Sequence, residues 1–91
     1  MRLITTKITN AFMQGEAKKI SNTHTDGKSL WLFNNKIAEH REDVLYITNA
    51  GWKSQTTKER LNALPNVSIS NKKGEWYLNG NLWDGEWTKI N

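Results

Sequence analysis

Apolar positions recur along this chain with two different spacings. In "TTKITNAFMQG", Ile8 and Phe12 lie four residues apart with Ala11 beside them, the spacing of one helical face, and Gly15 supplies a stop. Thr5 or Thr6 is expected to cap its start. A second helix is predicted from "TTKERLNALP": Thr56-Thr57-Lys58-Glu59 has the form of a capping box, Thr57, Leu61 and Leu64 share a face, and Pro65 ends the run. Lys58 and Glu59 fall on its exposed side. After each helix the spacing changes to that of strands, in "KISNT", "SLWLF", "KIAEH" and "VLYIT", then in "VSIS", "EWYLN" and "LWDGEWTKI". Asn79-Gly80 tolerates the positive φ values of a type I′ hairpin, and Asn34-Asn35 is expected to turn the same way. Asp26-Gly27 and Lys73-Gly74 mark the preceding turns. The fold class is α+β.

The two halves also share words in the same order. "TTK" occurs at Thr5 and Thr56, "ISN" at Ile20 and Ile69, and "WLFNNKI" at Trp31 is matched by "WYLNGNL" at Trp76. The second copy lacks a counterpart to part of "THTDGKS". This pattern predicts an internal duplication, with repeat units at about 5–48 and about 56–90, each helix, strand, strand, strand. Two short helices would then pack on antiparallel sheet with pseudo-twofold symmetry, because neither half buries its sheet face alone. Trp31 and Trp76 would occupy equivalent central strands. The predicted core sets Ile8, Phe12, Leu61 and Leu64 against Leu32, Ile37, Leu45, Ile47, Ile69 and Leu78.

Length and composition narrow the function only slightly. A chain of 91 residues is expected to form one domain, 1–91, since either half would be too small to be stable. Without cysteine there is no disulfide framework, thiolate metal site or Cys nucleophile. Neither a membrane span nor a secretory signal is expected. The formal charge of +4 favours polyanions mildly. Five Trp are many for this length, and each either anchors a core or offers a stacking surface.

"NNKIAEHREDVLYITNAGWKSQTTKERLNAL" resembles a module of small bacteriophage and mobile-element proteins. There a hairpin ending in Ile-Ala precedes an "LYIT"-like strand, a Gly plus aromatic, and a Thr-Thr pair opening a helix. The matching residues are Ile37-Ala38, Leu45 to Thr48, Gly51-Trp52 and Thr56-Thr57, about the middle third of the chain. The resemblance implies a phage or prophage accessory protein at work in the cytoplasm of a bacterial host, and it implies no catalytic residues.

Enzymatic motifs are missing from the sequence: no P-loop, no dinucleotide fingerprint, no nucleophile elbow. His24 in "THTDG" and His40 in "HRED" sit in expected turns and form no cluster, so neither metal nor cofactor is expected and the chain is read as a non-enzyme. The surface candidate is "NAGWKSQTTKER", where a loop enters a helix N-terminus. Trp52, Lys53, Thr56, Lys58 and Arg60 are its members. Thr56 and Thr57 either complete an anion site or only cap the helix, and Trp52 either stacks on bases or fills the core. Lys18-Lys19 and Lys72-Lys73 flank the two "ISN" words and would lie on related surfaces. Three strands and a helix between Ser29 and Leu64 also match the outline of some integrase arm-binding domains, which lay a sheet in the major groove. Two functions are compatible with these residues: binding DNA or RNA through a basic and aromatic surface, or docking on a host bacterial protein as an inhibitor.

Overall fold

The computed structural model describes residues 3–51 and 54–90, with side chains from Thr6 onward in the first segment. Among the described residues, helix α1 (Leu3–Gln14) leads into strands β1 (Ala17–Ile20), β2 (Thr23–Asp26), β3 (Ser29–Leu32), β4 (Asn35–Arg41) and β5 (Val44–Ile47). Helix α2 (Gln55–Asn62) then precedes β6 (Ile69–Lys72), β7 (Glu75–Leu78), β8 (Asn81–Leu82) and β9 (Thr88–Ile90). All pairings are antiparallel, as the α+β reading requires. The first five strands form a meander, and β9 returns to add a sixth strand beside β5. Strands β6, β7 and β8 make a separate small sheet.

Both helices and both sheets meet in one apolar cluster. It contains all ten predicted core residues, from Ile8 and Phe12 on α1 to Leu78 on β7, and adds Leu30, Ala38, Val67, Trp76, Trp83 and Ile90. Helix α1 ends as its glycine requires: Gly15 sits at φ +78, and its N–H and that of Glu16 return to the carbonyls of Phe12 and Ala11. Its start differs from expectation, because the helix already runs from Leu3 and so Thr5 and Thr6 lie inside it. Helix α2 is capped by Ser54, whose hydroxyl accepts from the Thr57 N–H at 3.1 Å. The capping frame is therefore Ser54 to Thr57, and Thr56 is in the first turn. The helix stops at Asn62, whose side-chain amide clasps both backbone groups of Ile69 and fixes the start of β6.

Strand "THTD" is an addition to the sequence reading, which placed His24 in a turn. A bulge is the other addition. Leu30 pairs with Ala38 but Trp31 pairs with Lys36, so Ile37 is an extra residue, and Ile37 and Ala38 both point inward.

The expected equivalence of Trp31 and Trp76 does not hold. Trp76 is 2% exposed on the middle strand of the small sheet, whereas Trp31 is half-buried on the large one. Their turns explain the difference. The second hairpin turns on Asn79-Gly80 (φ +52 and +88), three residues after Trp76; the first turns on Phe33-Asn34 (φ +50 and +66), two after Trp31, and not on Asn34-Asn35. A shift of one residue reverses every side chain of a strand. With the turn moved to Asn34-Asn35, Leu30 and Leu32 would leave the core, each a loss of about 1.5–3 kcal/mol. Holding Phe33 in the left-handed region costs about 1–3 kcal/mol, so the two leucines decide the register. Nor do the two halves pair alike, since the second half gives β9 to the sheet of the first.

Candidate nucleic-acid interface

Alternation along the large sheet sends one set of side chains inward and another out. The outward set crosses the strands in register: Lys19 of β1 opposite His24 of β2, His24 opposite Trp31 of β3, and Trp31 opposite Lys36 of β4. A second row joins Glu39 of β4, Tyr46 of β5 and Lys89 of β9. These side chains are half-buried or exposed. The helices and the small sheet cover the opposite face, where Leu30, Ala38, Leu45, Ile47 and Ile90 lie in the common core.

The outward groups are organised among themselves. The His24 and Trp31 rings stack with centroids 4.8 Å apart and planes 10° from parallel, and the Lys36 ammonium lies 5.5 Å from the Trp31 ring centre. The Arg41 guanidinium sits between Tyr46 and Trp87, at 4.6 and 4.9 Å from their ring centres. Glu39 accepts from Arg41 Nε and from Lys36 Nζ, the latter at 3.2 Å. The Arg41 hydrogen bond, followed by that of Lys36, holds the Glu39 carboxyl below its ordinary pKa. Asp26 at the neighbouring turn is likewise held low, by the N–H groups of Ser29 and Lys28 donating to it. Glu39 and Asp26 are therefore already bonded, while Glu42, Asp84 and Glu86 also border the face.

A lowered folded-state pKa contributes stability above the unfolded value that is lost as pH falls through the folded one. The Glu39 carboxyl is expected to titrate in a pH series of NMR spectra at lower pH than an ordinary glutamate. In Arg41→Gln it should move back up. A titration unmoved by that change would remove Arg41 as the cause.

Three shallow hollows run across this face. One of about 400 Å³ lies over β1 and β2, bounded by Ala17, Lys18, Lys19, His24 and Thr25. The next, about 470 Å³, is lined by residues including Trp31, Lys36, Glu39 and Arg41. The third, about 680 Å³, continues past Arg41 to the 84–87 loop and Trp87. Gly85 of that loop is pinned to the segment just after β5, since its carbonyl accepts from the Asn49 N–H and the Thr48 hydroxyl.

The residues singled out from sequence are dispersed. Trp52 and Lys53 lie outside the described residues. Thr56 and Lys58 are half-buried on α2. Arg60 corrects the surface reading: it is 2% exposed, with Nε donating to the Thr23 hydroxyl at 3.1 Å and Nη1 to Glu59 at 3.1 Å. Thr57 is buried as well, its hydroxyl bonded to that of Ser54, so it belongs to the helix cap. Lys18 and Lys19 are exposed on β1, at one edge of the large sheet. Lys72 and Lys73 are exposed at the end of β6 and in the next turn, on the other sheet, so the two pairs share no surface relation through the "ISN" words. Of the predicted residues that are described, Lys19 alone belongs to the register row.

His40 faces the opposite way from Arg41. Its ring stacks on Phe12 at 4.3 Å, and Nε2 lies 3.3 Å from the Phe12 carbonyl near the end of α1, a structural position. Sequence reading missed Trp31, Lys36, Arg41, Tyr46, Trp87 and Lys89 as a group. The alternation in "VLYI" and "SLWL" signals that Tyr46 and Trp31 face away from the leucines, but the bulge at Ile37 hides the same alternation in β4.

The large sheet of this small antiparallel fold thus carries an ordered array of cations and rings on one face. A family model described as Kyanoviridae Gp96 protein matches residues 1–91, and the chain belongs to this family of bacteriophage proteins. Comparison with curated proteins and with solved structures gives no match. Among the described residues no helix is long and apolar enough to cross a membrane.

Proposed function

We propose that this phage protein is a non-enzymatic accessory factor of the host-cell cytoplasm that binds nucleic acid through the outward face of its large sheet. One observation carries the reading: Lys19, Lys36, Arg41 and Lys89, which come from three different strands, share that face with His24, Trp31, Tyr46 and Trp87, while the intervening Glu39 is already bonded to two of the cations. Cations in this arrangement suit a run of phosphates, and rings between them suit bases or sugars.

Binding of a labelled oligonucleotide is expected to weaken steeply with salt, because each phosphate that a cation neutralises releases condensed counterions. Changing Lys19 and Lys89 together to Glu should lower the slope of log affinity against log salt by about 0.7–0.9 for each phosphate no longer neutralised. Binding that is absent at low salt, for DNA and RNA alike, overturns the reading. It would favour docking on a host protein, for which Trp31, Arg41, Tyr46 and Trp87 are the residue types that anchor interfaces.

A further inference from the structure

The shape of the same face restricts which nucleic acid it takes. Six strands at about 4.8 Å spacing make a surface about 24 Å across. The major groove of duplex DNA is about 12 Å wide and admits a helix or a two-stranded ribbon, so this sheet does not enter it. Each helix turns one face into the core. On α2, Thr57, Arg60 and Leu61 are buried, and α1 buries Ile8, Ala11 and Phe12 beneath β1 and β2. The three-strand-plus-helix outline of a groove-reading sheet is thus replaced by a broad sheet with its helices on the far side.

The details of the β1 edge point to a single strand. His24 has one ring face against Trp31, on the β3 side. On its β1 side lies the hollow of about 400 Å³, bounded also by Ala17, Lys18 and Thr25, where Lys19, directly across from His24, supplies charge. A flat group entering there would extend an existing stack, Lys36 over Trp31 over His24, by one more layer. Bases of a duplex are stacked and paired, and so are not free to enter. Those of a single strand are free, and stacking on a protein ring works for any base. From this hollow the remaining cations lie across the strands in the direction of β9, through Lys36 and Arg41 to Lys89.

We propose that the ligand is single-stranded nucleic acid crossing the large sheet from β1 to β9, with one base stacked on His24 in the hollow beside β1. This rests on the nucleic-acid reading above. A surface of this width accommodates at least about four nucleotides, the low end of the range for single-strand binding folds.

The test compares three labelled probes on the full chain: a single-stranded oligonucleotide of about twelve nucleotides, the duplex of the same length, and a single strand of that length made entirely of abasic sites, which keeps the phosphates and lacks the bases. The intact strand is expected to bind about tenfold tighter than the duplex and about tenfold tighter than the abasic strand, the effect of one base stack. In His24→Ala the advantage over the abasic strand should shrink severalfold, because the base in the hollow loses its ring partner. The wild-type comparison decides the matter even if that variant folds poorly. Equal or tighter binding of the duplex, or equal binding of intact and abasic strands, overturns the inference and leaves nucleic-acid binding standing. Failure of all probes to bind at low salt overturns both.

Discussion

Replacing Arg60 with Ala is expected to destabilise the protein by about 2–5 kcal/mol, the range for emptying a large buried site. Arg60 is 2% exposed, and its guanidinium reaches from α2 to the Thr23 hydroxyl on β2 and to Glu59. The cost has two parts. Thr23, itself fully buried, loses a charged donor, and the aliphatic stem leaves a space between helix and sheet. Glu59 is better placed, because its side chain is 18% exposed and water can solvate it. Arg60→Met, which keeps most of the volume, should therefore recover a large part of the loss. Urea unfolding of the two variants checks this. An Arg60→Ala change within the small range of surface positions, or one that weakens nucleic-acid binding in a fully folded protein, would return Arg60 to the surface where sequence reasoning put it.

Trp76→Ala should be about equally severe, with a loss of about 3–5 kcal/mol. Its ring lies in the common core with Trp83, 6.3 Å away between centroids, and connects the small sheet to the rest of the fold. Trp31→Ala should cost much less, because Trp31 is half-buried and its neighbours His24 and Lys36 remain hydrated when it is removed. Part of its ring is covered, so its loss should lie between the roughly 0.5 kcal/mol usual at exposed positions and that of Trp76. Thermal unfolding of the two variants reads the contrast directly. Equal losses at the two positions would restore the equivalence that the repeated words imply.

The parts of the fold legible in sequence were those set by local spacing. Ile8 and Phe12, or Leu61 and Leu64, belong to a helix face because the spacing is helical, and all four are buried. Most strands were legible for the same reason; the exceptions are "THTD", where Asp26-Gly27 drew attention to the turn, "KISNT", which runs through the turn between β1 and β2, and "LWDGEWTKI", which divides into the end of β8, a loop and β9. What spacing could not supply was register. The choice between Asn34-Asn35 and Phe33-Asn34 depends on which side of β3 the core lies, and this is decided by helices distant in sequence. The same information was missing for the candidate surface. Lys19, His24, Trp31 and Lys36 form a row only once three strand pairs are aligned, one of them through a bulge. Arg60 illustrates the opposite error: an arginine between Glu59 and Leu61 on a short helix reads as exposed until its helix face is known.

The lysines on the sheet borders have a consequence for association between copies. An edge strand displays unpaired N–H and C=O groups, and is a template on which another chain can add. Strand β1 carries Lys18 and Lys19, β6 ends in Lys72, and β9 carries Lys89, all exposed, while the fourth edge, β8, is two residues long. Bringing two such borders together would crowd ammonium groups against one another, and β8 offers too short a ladder to compensate. Each border is thus a poor seed for intermolecular sheet, so the four strand edges can stay exposed without growing fibres from them.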